Sequence, residues 1–127
     1  MSGLRVGAAS VNINPPMGLR KGGFRLFGEP ITSIDDDMEL GIAVLQSKGA
    51  TVAIIGCDLG SATREESHEF RDTVAEILKI DRSHVLFNLS HNHSAATLRG
   101  NNGSPSNEED LPLVNEYQNG LVEKIAQ

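Results

Sequence analysis

The chain has 127 residues, fewer than the ~150 typical of one domain, so one domain is the ceiling. Seventeen acids against eleven Lys and Arg give a formal charge of -6, and aromatics are only 4% with no Trp. That balance excludes a phosphate-tracking surface and a base-stacking platform, so no nucleic-acid partner is expected. Adding the 13 glycines to the 39% hydrophobic residues reaches an ordinary globular composition, so the chain folds. The single cysteine, Cys57, rules out an internal disulfide and a Cys/His zinc knuckle. No run approaches the ~18 apolar residues of a membrane span. Met1 to Leu4 lead straight into patterned sequence without a signal-type segment, so a cytoplasmic location is expected.

From Leu4 to Ile13, β-branched and small residues alternate with period two, which predicts a strand. Asn14-Pro15-Pro16 ends it, because proline has no ladder N–H and restricts the residue before it. Residues 14 to 37 form a long loop with three prolines, four glycines and the run Asp35-Asp36-Asp37. Loops of that length are usually functional or disordered. Met38 to Gln46 alternates again, with Met38, Leu40, Ile42 and Val44 on one face, and Ser47 to Ala50 makes a turn. Thr51 to Cys57 is a continuous apolar run, the pattern of a central strand covered on both faces.

A helix is expected next. Thr63 and Glu66 fit a capping box, and Phe70, Val74, Ile77 and Leu78 form one apolar stripe that ends near Ile80-Asp81. Val85 to Ser90 reads as the following strand, so residues 51 to 90 spell a βαβ unit with parallel strands. A second helix is predicted from Leu113, Val114, Tyr117, Leu121 and Ile125 and is cut short by Gln127. The fold class is α/β: a mixed sheet with a βαβ unit.

Ligands in open α/β sheets gather beyond the carboxyl ends of the strands. Here those ends carry Asp58 and Ser90-His91-Asn92-His93-Ser94, which a parallel pairing places on one sheet edge. On extended backbone, residues i and i+2 point to the same side, so His91 and His93 could reach one ion or substrate. Neutral imidazole is both a common metal ligand and an acid/base near pH 7. The alternative is a polar strand end with solvated histidines; the buried strand before it and Asp58 beside it favour a metal or catalytic site. Asp58 either orients a ligating histidine or caps the following helix. His68 is expected to be exposed on the polar helix face, and His84 to be structural. The Asp35 to Asp37 run lacks EF-hand spacing and reads as solvated. Cys57 reads as a small core residue. Arg99 to Gly103 could offer donors to a substrate, and Gly22 to Arg25 a loop packed against the site.

Taken together, VGAASVNINPPMG, AIIGCDLG and VLFNLSHNHSAA resemble, in order and spacing, the N-terminal part of neutral/alkaline non-lysosomal ceramidases. The resemblance runs from Val6 to about Leu98, and the His-x-His-Ser motif preceded by Asp-Leu-Gly is its most specific element. It implies a zinc-dependent amidase that hydrolyses the N-acyl bond of ceramide or a related lipid amide. It assigns His91 to zinc and His93 to the active site as oxyanion stabiliser or proton shuttle, and it makes the chain an incomplete portion of a larger α/β catalytic domain; Asp58, from its place on the same sheet edge, is a further catalytic candidate. The family motif continues with a Gly-Pro-Gly-Gly type stretch, whereas Ser94 is followed here by Ala95-Ala96-Thr97-Leu98. The family also completes its zinc site with another His, a Glu and a Tyr much further along, so residues 1–127 imply one partial Zn2+ site. A non-catalytic α/β binding or regulatory domain, and a small metallohydrolase completed by homo-oligomerisation, are the alternatives to a portion lacking its C-terminal part.

Overall fold

The computed structural model describes residues 3–22, 29–99 and 108–127. Four strands form one mixed sheet in the order β1-β2-β3-β4: β1 Arg5–Asn12, β2 Glu39–Ser47, β3 Ala50–Cys57 and β4 Val85–Leu89. The first two pairings are antiparallel. The β2–β3 turn is tight because Lys48 and Gly49 both take positive φ, 49° and 82°. Between β3 and β4 runs α1 (Arg64–Leu78), and β4 pairs with β3 in parallel, from Ala53↔Val85 to Cys57↔Leu89. The expected βαβ unit is therefore present. A last helix, α2, spans Leu111–Ala126.

Local chemistry accounts for the bounds of α1. The Thr63 side chain accepts from the Glu66 N–H at 3.2 Å, and the Glu66 carboxylate accepts from the Thr63 N–H at 2.8 Å, completing the capping box. Burying Glu66, at 4% exposure, costs little because these bonds replace its water. The helix stops two residues before the expected Ile80, where Lys79 turns left-handed (φ 54°) and its N–H and that of Ile80 close on Ala75 and Glu76 carbonyls.

Both helices pack on one face of the sheet. Ala53, Ile55 and Cys57 from β3 and Val85 from β4 meet Phe70 and Val74 of α1 and Val114, Leu121 and Ile125 of α2. The Phe70 and Phe87 rings lie 5.3 Å apart at 49°, close to the tilted geometry that aromatic pairs prefer. The long loop is tied into this core through Ile13, Leu19, Ile31 and Met38. The buried Tyr117 hydroxyl donates to the Ile13 carbonyl at 2.7 Å, pinning the end of β1 beneath α2.

The apolar run of β3 departs from expectation. Its second face is bare: Val52 and Ile54 are 41% and 40% exposed. The run predicts a strand that is apolar on both sides; the chain itself covers one of them. His68 is half-buried rather than exposed. Ile77, placed on the apolar stripe, is 53% exposed because it lies over the uncovered end of β1 and β2.

Candidate functional site

The parallel register of β3 and β4 brings their carboxyl ends side by side, and the loops that leave them are stitched together. Ser90 N–H donates to the Cys57 carbonyl at 3.0 Å, and Asn92 N–H to the Leu59 carbonyl at 3.2 Å. Leu59 is fully buried and anchors its loop in the core. Gly60 sits so close to the second loop that a Cβ there would lie 2.9 Å from the Asn92 carbonyl oxygen, closer than any side chain tolerates. The Asp-Leu-Gly segment therefore works as an anchor followed by a contact point.

His91 takes left-handed backbone (φ 59°) right after this junction. Its Nδ1 lies 2.6 Å from the Gly60 carbonyl oxygen. A carbonyl only accepts, so the proton sits on Nδ1 and the lone pair of the neutral ring is on Nε2. His93 Nε2 lies 3.1 Å from that Nε2 and donates to it. The rings meet edge to face, with centroids 4.8 Å apart and planes at 81°. Asn92 Oδ1 accepts from the Ser94 N–H at 2.8 Å and holds the intervening turn.

The structure thus brings His91 and His93 together, by a different route from the alternation argument. β4 ends at Leu89, and the two rings converge through a left-handed residue and a turn, not through extended backbone. Asp58 shares the sheet edge. Its carboxylate accepts from the Glu39 N–H at 3.0 Å, and its own N–H donates to the Glu39 carbonyl at 3.0 Å. It rivets the start of β2 to the end of β3, while Thr63 caps the helix and the Gly60 carbonyl orients His91. Sequence reading did not single out Gly60 as that acceptor. The available signal was a glycine three residues past a buried strand, opposite a histidine motif.

The other candidates fall elsewhere. Arg99, read as a donor to substrate, spends its guanidinium on α2, where it donates to Asn115 Oδ1 at 2.7 Å and Asn119 Oδ1 at 3.0 Å. Gly100 to Gly103 lie outside the described residues, as do Gly23, Phe24 and Arg25. Arg20 to Gly22 do pack beside the histidine loop: Lys21 bridges to Ala96, and the Gly22 N–H donates to the Ala95 carbonyl at 2.9 Å. His84 is exposed in a short 3-10 turn before β4. Asp35 to Asp37 are exposed, with Asp37 accepting from the Asn14 amide at 2.7 Å. Cys57 is a core residue, and burial, with Asp58 adding to it, pushes its thiol up to about 12.

Next to the histidine loop a groove of about 340 Å3 opens, floored by Ile31 and Met38 and rimmed by Asn92, Ser94, Lys21 and Asp36. Among the described residues no third His, Cys, Asp or Glu joins the imidazole pair as a metal-holding group. No described helix is long and apolar enough to cross a membrane.

No family model matches the chain, and no curated protein matches it. Among solved structures, the crystal structure of neutral ceramidase from Pseudomonas aeruginosa is similar in fold, with a TM-score of 0.71 at 15% identity. The likeness covers 98% of this chain and 21% of that one, so the chain spans about a fifth of its neighbour's length.

Proposed function

We propose that residues 1–127 form the N-terminal, histidine-bearing portion of a zinc-dependent amide hydrolase of the ceramidase type, acting on a lipid amide or other small amide. The observation that carries this reading is the imidazole pair. His91 is orientated by the Gly60 carbonyl through Nδ1, its Nε2 turns away from the backbone, and His93 Nε2 stands 3.1 Å from it. A ring held by a carbonyl at one nitrogen and offering the other is the usual arrangement of a metal-ligating histidine. The left-handed backbone of His91 is an additional sign, since such conformations cost about 1 kcal/mol or more and collect at functional sites. The fold likeness to a neutral ceramidase agrees with the reading.

The donor set fits zinc in part: the His91 imidazole offers one ligand nitrogen, with the remaining ligands supplied from other segments. His91 would hold the ion through Nε2, and zinc supplies Lewis acidity, polarising an amide carbonyl and acidifying a water. His93 then loses the acceptor it now donates to, and its Nε2–H becomes available to the reacting amide. Breaking the N-acyl bond with water yields a carboxylate and an amine; His93 would take up the proton the water gives up, becoming an imidazolium, and would pass one from Nε2 to the leaving nitrogen. Asp58 acts as a positioning residue, fixing the strand end from which Leu59 and Gly60 reach His91. The groove beside Asn92 and Ser94 offers a place for the part of the substrate next to the amide.

Zinc titration of the chain by calorimetry at pH 7.5 tests the reading. One zinc binds per chain with micromolar or weaker affinity, His91→Ala abolishes it, and His93→Ala weakens it. No heat at millimolar zinc would sink the proposal, and nanomolar affinity would mean that the chain completes the site without further ligands.

A further inference from the structure

The groove beside the histidine loop has two walls of opposite chemistry. One is continuous with the imidazole pair: Asn92 and Ser94 flank His93, and Lys21 is held next to them by its bridge to Ala96. These side chains bring donors, an amide NH2, a hydroxyl and an ammonium. The Asn92 side-chain oxygen is already taken by the Ser94 N–H at 2.8 Å, which leaves the NH2 group for the groove. The opposite wall belongs to the segment that leads into β2, where Asp35 and Asp36 bring carboxylates, which only accept.

The two walls do not neutralise each other. Lys21 stands 4.0 Å from Glu29, and among the described residues no ion pair joins it to Asp35 or Asp36. Neither aspartate has a hydrogen-bond or ion-pair partner among the described residues, whereas Asp37 beside them accepts from Asn14. Between the walls the floor is apolar, with Ile31 and Met38 buried beneath it and Ile34 half-buried. Volume then sets the size of an occupant. At about 30 Å3 for each water, the groove of about 340 Å3 has room for roughly ten non-hydrogen atoms. That is the small end of ligand sites and far short of a two-chain lipid.

We infer that this groove takes a small amide whose amine part ends in an ammonium group. The amide oxygen lies on the donor wall, a few methylenes cross the apolar floor, and the ammonium meets Asp35 and Asp36. An anionic ligand would gain Lys21 but face both unpartnered carboxylates, and the net charge of -6 favours a cation from a distance as well. The amide is then set beside His93. That it is the bond cut rests on the hydrolase reading; water adds across it, and the products are a carboxylate and a diamine.

Chemical-shift titration of the isotope-labelled, zinc-free chain with three probes of one length tests this. N-acetylputrescine carries the ammonium, N-pentylacetamide a methyl in its place, and N-acetyl-δ-aminovalerate a carboxylate. N-acetylputrescine binds at about millimolar strength and shifts the amides of Ile34, Asp36 and Ser94. N-pentylacetamide binds at least about fivefold more weakly, and the difference closes in roughly 0.5 M salt. The double variant Asp35→Asn, Asp36→Asn loses the preference and keeps its melting temperature, since neither carboxylate has a described partner to lose. Equal affinity for all three probes, the result expected of an apolar slot open to any chain, overturns the inference. So does tightest binding by the carboxylate probe, a preference that survives the double variant, or no shift at about 50 mM probe. Because zinc is absent throughout, this outcome stands apart from the calorimetric titration that tests the hydrolase reading.

Discussion

One strand, β3, presents two apolar faces with opposite fates. Ala53, Ile55 and Cys57 are 1%, 0% and 3% exposed beneath α1 and α2, whereas Val52 and Ile54, between them in sequence, are 41% and 40% exposed. Composition does not separate the faces; topology does. Both helices pack on the same side of the sheet, so one face becomes the core and, among the described residues, the other stays open. An apolar run reports that both sides avoid water, and says nothing of what supplies the cover.

The sharpest way to test that contrast is to make the same change on each side. Ile55→Ala removes buried methylenes and leaves a cavity under Phe70, costing about 2–5 kcal/mol in denaturant unfolding. Ile54→Ala, measured at low micromolar chain, costs under about 1 kcal/mol because its side chain is half in water already. Equal losses would show that the second face is packed as tightly as the first, contrary to the structure.

The same contrast explains what could be read from sequence. The strands, α1 and the βαβ crossover were legible because each has a local cause: period-two alternation, the Thr63–Glu66 box, the Phe70 and Val74 stripe. The convergence of Asp58 and the histidine motif on one edge was legible too, since parallel pairing alone requires it. What escaped was the set of non-local contacts. That Asp58 reaches Glu39, that Arg99 is spent on Asn115 and Asn119, and that Gly60 supplies the acceptor for His91 all depend on segments distant in sequence. The left-handed turn at His91 escaped as well, because strand alternation carried through the motif predicts extended backbone there, although histidine is among the residues that take positive φ most often.

The glycines near the end of β3 sharpen the comparison next. Gly60 faces its own chain: a Cβ there collides with the Asn92 carbonyl oxygen at 2.9 Å, and backbone cannot swing aside as a side chain does. Gly60→Ala therefore costs about 1–3 kcal/mol, and forces apart the two loops that hold His91. Zinc affinity falls with it. Gly56 faces open space, so Gly56→Ala is neutral or stabilises the monomer by up to about 1 kcal/mol. If the two substitutions behave alike in thermal melts and zinc titration, the stitching of the loops is not what positions the imidazole.

The smallest effect comes from ionisation, and it is read on the covered face, where Cys57 and Tyr117 are buried. Burial, with Asp58 adding to it, raises the Cys57 thiol from its ordinary value of 9.0 to about 12. Burial, with Cys57 adding to it, also raises the Tyr117 phenol. Both groups are neutral when protonated, and the unfolded chain releases these protons first. Stability from them is thus fully present below pH 9 and is lost as pH rises toward 12. By about pH 10 the thiol accounts for a loss on the order of 1 kcal/mol. Denaturant unfolding between pH 8 and about 10.5 isolates it when the chain is compared with Cys57→Ala, whose baseline differs but whose alkaline slope lacks the thiol. The parent falls more steeply than the variant, and its thiol resists alkylation until unfolding. Parallel slopes would mean that water reaches Sγ in the folded state, which would make the covered face of β3 nearly as open as the bare one.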